Sequence, residues 1–113
     1  MLLPILPETV DVPLDEVGYP GLVAVVRPMD VLRKAQWFAA IRDMDPIPST
    51  AEACRMCLVT IRGVMVTDSL GGEPVPFDGQ NDAHFRSLPF EMLAPIGSAI
   101  LSRTTLSEAA AKN

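Results

Sequence analysis

The chain has 113 residues, enough for one domain with a real core and too few for two. A hydrophobic fraction of 49% against 20% charged residues supplies enough apolar surface to offset ordering entropy, which excludes disorder of the whole chain. With 9 basic and 14 acidic residues the net charge is -5, the wrong sign for a general binder of nucleic acid or anionic membrane.

The acids are unevenly placed. Residues 1–26 hold Glu8, Asp11, Asp15 and Glu16 and no base, whereas residues 28–62 are close to balanced. No apolar run reaches the roughly 18 to 20 residues that span a bilayer. The first residues lack a basic stretch and are interrupted by Pro4 and Pro7, unlike a signal peptide. The compartment expected is the cytoplasm, with thiols reduced. The partner expected is another protein.

In chain order, Pro4, Pro7, Pro13 and Pro20 make residues 1–20 extended or irregular, with a short edge strand expected around residues 8–12. Residues 21–27 are β-branched and bounded by Pro20 and Pro28, which predicts a strand paired with the preceding segment. A first helix is predicted after Asp30, a good N-cap, running to about Met44. Val31, Leu32, Ala35, Phe38 and Ala39 share one face of it, and Trp37, Ile41 and Met44 form a second stripe on the flank. Pro46 and Pro48 then break the helix.

Ser49 and Glu52 form a capping-box pattern that predicts the start of a second helix, ending near Gly63. Its spacing puts Cys54, Cys57, Leu58, Ile61 and Met65 on one buried face. Residues 64–67 are either its last turn or a short strand. Residues 68–72 form a turn, residues 73–77 are extended because Pro74 and Pro76 alternate, and residues 78–82 continue as loop. A third helix opens near Ser87, with Pro89 in its first turn and Phe90, Leu93, Ile96 and Ile100 as its apolar stripe. Pro95 either kinks that helix or marks a later start. Thr105 and Glu108 cap a last short helix.

The fold class is therefore α+β and helix-dominated: an extended N-terminal segment with a short β element, then three to four helices joined by Pro/Gly-rich loops. Residues 1–20 form the Pro-rich segment and residues 21–113 a single small helical domain.

Catalytic or metal-binding patterns are weak. A redox Cys-x-x-Cys needs its first thiolate at a helix N-terminus, but Cys54 and Cys57 follow the capping box and lie on the apolar face. His84 is the only histidine, too few ligands for zinc, and no acid or thiol stands at triad spacing from it. It is placed on a loop surface. Gly71 and Gly72 read as turn chemistry, and Asp43 with Asp45 as a solvated helix end. The chain reads as non-enzymatic, with no cofactor and no metal. Trp37 either packs on the N-terminal strand or anchors a protein interface, where tryptophan is enriched. Arg33, Trp37, Ile41 and Met44 are the candidate partner-binding residues.

The order of these pieces resembles a known family. The run Gly21-Leu-Val-Ala-Val-Val-Arg27 before an Asp-capped helix, Ile61-Arg-Gly-Val64, and Gly71-Gly-Glu-Pro-Val-Pro-Phe77 are similar to segments of tail assembly chaperones of long-tailed (siphovirus-like) bacteriophages or prophages. So are Leu88-Pro-Phe-Glu-Met-Leu93 and Leu106-Ser-Glu108, at the closing end. The resemblance covers roughly residues 20–113, and its specificity lies in the order of the pieces. It departs from the family in residues 64–67, where an aromatic is usual and none occurs. The resemblance implies a helix-rich domain in the bacterial host cytoplasm that binds the tape-measure protein and tail-tube subunits, often self-associates, and often has a frameshift-extended form. On that reading, apolar side chains of the first and third helices cover aggregation-prone helices of the partner. The alternatives are a structural tail or head–tail completion protein retained in the virion, and a small redox or metal protein using Cys54 and Cys57.

Overall fold

A computed structural model describes residues 1–3, 5–67 and 72–103 of the chain. Three short strands begin the fold: β1 (Val10–Pro13), β2 (Val23–Val26) and β3 (Leu58–Arg62) make one antiparallel sheet in the order β1-β2-β3. Val10 pairs with Val26 and Pro13 with Val23, so residues 10–13 of the N-terminal segment belong to the packed unit. A 3-10 turn at Asp15–Val17 and Gly18, at φ 96, reverse the chain between β1 and β2. Alternation decides the faces of the sheet. Val12, Ala24 and Val26 are buried, while Asp11 and Pro13 are exposed.

Four helices lie among the described residues: α1 (Val31–Ala40), α2 (Pro46–Cys57), α3 (Asp82–Arg86) and α4 (Phe90–Arg103). This is the helix-dominated α+β class expected from the sequence. α2 packs along α4, and both close over one face of the sheet. The resulting core joins Val12, Leu14, Ala24, Val26, Leu58 and Ile61 to Ala53, Cys54 and Cys57 of α2 and Leu93, Ile96 and Ile100 of α4. Gly97 lets the two helices approach. A Cβ there would run into the Thr50 methyl group and sit 3.3 Å from the Cys54 sulfur.

Several element boundaries differ from the sequence reading, each for a local reason. The first helix ends at Ala40 rather than Met44, with the Ile41 N–H closing on the Trp37 carbonyl. α2 starts at Pro46, so Asp45 and not Ser49 stands at its N-cap. A proline in the first turn forfeits no hydrogen bond, and Pro46 and Pro48 both fit there. The Ser49–Glu52 capping box is not formed: the Ser49 hydroxyl donates to the Asp45 carbonyl, and Glu52 pairs with Arg55.

The second helix does not continue to Gly63. It stops at Cys57 and the chain becomes β3, because the run Leu58-Val-Thr-Ile61 is β-branched and finds the open edge of β2. The Arg27 N–H donates to the Cys57 carbonyl at 2.8 Å across that junction. Cys54, Cys57, Leu58 and Ile61 are buried as their spacing implied, but Met65 is exposed. Residues 65–66 form a short strand, β4 (Met65–Val66), paired with β5 (Val75–Pro76). The predicted turn at 68–72 lies outside the described residues except for Gly72, and so does the last short helix.

Asp82, expected to end a loop, opens α3, which is capped by the Asn81 side chain accepting from the Ala83 and His84 N–H groups. α4 runs through Pro95 to Arg103, so Pro95 does not mark a later start. Pro89 precedes the helix, and its carbonyl accepts from the Met92 and Leu93 N–H groups.

Candidate protein-binding face

α1 is the element whose packing departs most from its composition. Its N-terminus is well made: the Asp30 carboxylate accepts from the Arg33 N–H at 2.8 Å and pairs with the Arg33 guanidinium. None of its residues is buried, although most of them are apolar. At about 100° per residue, Val31, Leu32, Ala35, Phe38 and Ala39 fall within an arc of about 120°. That stripe points to solvent. Val31 is 81% exposed, Leu32 73% and Phe38 56%, and Ala35 and Ala39 are exposed as well.

The opposite side of α1 faces the protein. Arg33, Lys34, Trp37 and Ile41 are all half-buried there. The Trp37 Nε1–H donates to the Ser49 carbonyl at 2.9 Å, which fastens α1 to the first turns of α2. Trp37 is thus fastened to α2, and its half-buried ring packs against the core. The Arg33 guanidinium is also committed within the chain, to Asp30 and to the Pro28 carbonyl at 3.1 Å. Of the four candidate partner-binding residues, Arg33, Trp37 and Ile41 are turned toward the fold, and Met44 is exposed. Ile47, at the start of α2, is 60% exposed and adds to the apolar surface beside the α1–α2 junction.

The choice between two apolar stripes was not evident from helical spacing. One signal did exist. The Trp37 stripe carries the larger aromatic surface and a donor that finds a carbonyl when buried, both of which favour it inward.

α4 presents no comparable face. Leu93, Ile96 and Ile100 of its stripe are in the core, and Phe90 alone of the four is exposed. The expectation that the third predicted helix shares in covering a partner is corrected accordingly. Its apolar side chains are already used to hold α2.

The cysteine pair has the surroundings of inert thiols. Cys54 and Cys57 are both buried, and the Cys54 thiol donates to the Leu93 carbonyl at 3.5 Å. Burial, reinforced by Cys57, pushes the Cys54 thiol up to about 12, and burial raises Cys57 too. A nucleophilic or metal-binding cysteine needs the reverse shift. Among the described residues no group of three or more His, Cys, Asp and Glu side chains could hold a metal ion. His84 lies on α3 and not on a loop. It is half-buried, and its Nδ1 accepts from the Asp78 N–H at 3.1 Å, which ties α3 to the preceding turn. Asp43 and Asp45 are exposed near the α1–α2 connection. No helix among the described residues is long and apolar enough to cross a membrane.

No family model, no curated protein and no solved structure matches this chain.

Proposed function

We propose that this protein is a non-enzymatic tail assembly chaperone that binds the tape-measure protein of a long-tailed phage in the host cytoplasm, and with it tail-tube subunits. The observation that carries the reading is the outward apolar stripe of α1, with Val31, Leu32 and Phe38 left to solvent on a helix capped and fastened by Asp30 and Trp37. A rigid helix presenting an apolar stripe is complementary to the apolar face of another helix, which it covers at i, i+3 and i+4 spacing. Tape-measure proteins are long and helical, and exposed apolar stripes on such chains aggregate unless covered. The ordered resemblance of residues 20–113 to the chaperone family supports a tape-measure protein as the partner. The acidic balance of the chain argues for a protein partner over nucleic acid or membrane.

The test is co-expression with the phage's tape-measure protein. Wild-type chain should keep that protein in the soluble fraction and co-purify with it, whereas Leu32→Asp, at an exposed position, should fold normally and fail at both. A tape-measure protein equally insoluble with and without the wild-type chain would overturn the proposal. So would finding the chain at stoichiometric copy number in purified virions, where a tail or head–tail completion protein belongs.

A further inference from the structure

The charge of α1 sets it apart as much as its outward stripe does. Three of the chain's nine bases, Arg33, Lys34 and Arg42, fall within residues 31–42 and none of its fourteen acids does, although the whole chain carries a net charge of -5. Arg33 is used within the chain, on Asp30 and the Pro28 carbonyl. Lys34 and Arg42 enter no ion pair among the described residues. Lys34 stands three residues after Val31 and four before Phe38, the separations that make neighbours on a helix surface, so it borders the stripe. The opposite border, one turn beyond Leu32, holds the uncharged Gln36. Arg42 is exposed just past the stripe, in the connection that also holds Asp43 and Asp45.

We infer that the partner helix covered by α1 carries acidic side chains along one border of its own apolar face, and that Lys34, with Arg42 behind it, selects and orients that helix. This rests on the proposed role of α1 and adds the chemistry of the partner. An apolar stripe by itself accepts any apolar helix in either direction, because burial of apolar surface is non-directional. A charge beside the stripe supplies the discrimination. A complementary charge speeds encounter and fixes register, and a like charge set opposite costs affinity. Lys34 is half-buried, and a lysine in that setting lays its stem on apolar surface while its ammonium stays in water, where a docking carboxylate meets it. Turning the partner end for end exchanges its two borders, so a charge on one side of α1 also sets the partner's direction.

The probes are two synthetic amphipathic helices with the same leucine stripe, one bordered on one side by glutamates and the other by lysines, each labelled for fluorescence anisotropy. The glutamate peptide should bind the full-length protein at least about tenfold more tightly than the lysine peptide at low ionic strength, and the ratio should shrink in high salt. Lys34→Glu combined with Arg42→Glu should reverse the preference, and Leu32→Asp should lose both peptides. Circular dichroism checks that each variant is folded, and Arg42→Glu alone, at an exposed site, should already lower the ratio. Equal affinity for the two peptides, with both lost in Leu32→Asp, would overturn the inference and leave the proposed role of α1 standing. Binding of neither peptide, or undiminished binding of both by Leu32→Asp, would remove α1 as the binding face and the inference with it. A single-stranded oligonucleotide held as tightly as the glutamate peptide would also defeat the inference, since it would show attraction for any polyanion.

Discussion

The Trp37 indole N–H donates to the Ser49 backbone carbonyl at 2.9 Å, twelve residues along the chain, and this bond sets which side of α1 faces the protein. Replacing Trp37 by Phe removes the donor, and with it a second bond to a carbonyl that the α2 ladder already pairs. The expected loss is about 0.5–1.5 kcal/mol in a urea or guanidinium titration. Trp37 is the only tryptophan, so its fluorescence in the wild-type protein reports the docking of α1 directly. An unchanged midpoint for Trp37→Phe would mean that α1 is held by something else.

Contrasting substitutions on α1 and α4 separate the open stripe from the core. Leu32→Asp lies at a 73% exposed site and should shift stability by no more than about 0.5 kcal/mol. Ile96→Ala empties a fully buried site between α4 and α2 and should cost about 2–5 kcal/mol. Chemical denaturation of both variants checks the pair. A large loss for Leu32→Asp would show that α1 packs inward through the stripe assigned here to solvent.

Gly97→Ala tests how closely α2 and α4 approach. The added methyl group meets the Thr50 side chain and, at 3.3 Å, the Cys54 sulfur, so one helix must move. Overpacking of this kind should cost about 1–3 kcal/mol, more than the gain from alanine's better helix propensity. The companion change Thr50→Ser removes the methyl it meets first and should recover part of the loss. Independent, additive effects of the two substitutions would argue against the contact.

The buried thiols predict a particular response to alkali. An unfolded chain releases a thiol proton near 9, while folded Cys54 holds its proton up to about 12. Between those values the unfolded state binds fewer protons, so this contribution to stability is complete below about pH 9 and declines as pH rises toward 12. Cys54→Ala should flatten the decline measured by denaturation above pH 9. In the native protein at neutral pH both thiols should react slowly with an aromatic disulfide reagent, and rapidly after unfolding. Fast reaction of the native protein would contradict the burial of the pair.

The Asp30 cap is the simplest local test. Asp30→Ala removes the acceptor for the Arg33 N–H and the partner of its guanidinium, and should cost about 1 kcal/mol. Asp30→Asn keeps a side-chain oxygen for the cap and should retain most of that stability. Circular dichroism during thermal unfolding measures both.

Local chemistry determined much of this protein before any packing was known. Asp30 as an N-cap, the β-branched run after Gly21 and the extended course around Pro74 and Pro76 follow from backbone and side-chain preferences of a few adjacent residues. Helical spacing marked Cys54 and Cys57 as core, whereas Leu58 and Ile61 are buried from a strand. Tertiary structure decided the rest. Leu58 to Arg62 could continue a helix or become a strand, and the unpaired edge of β2 made it β3. Ser49 and Glu52 had a capping box to form, but a helix that accepts Pro46 at its start passes both of them by. α1 carries two apolar stripes, and locally only the Trp37 ring with its N–H donor ranks them. Only the carbonyl of Ser49, brought across from α2, draws Trp37 inward and leaves Val31, Leu32 and Phe38 facing water, because burial is fixed by what lies opposite a residue and not by its neighbours in sequence.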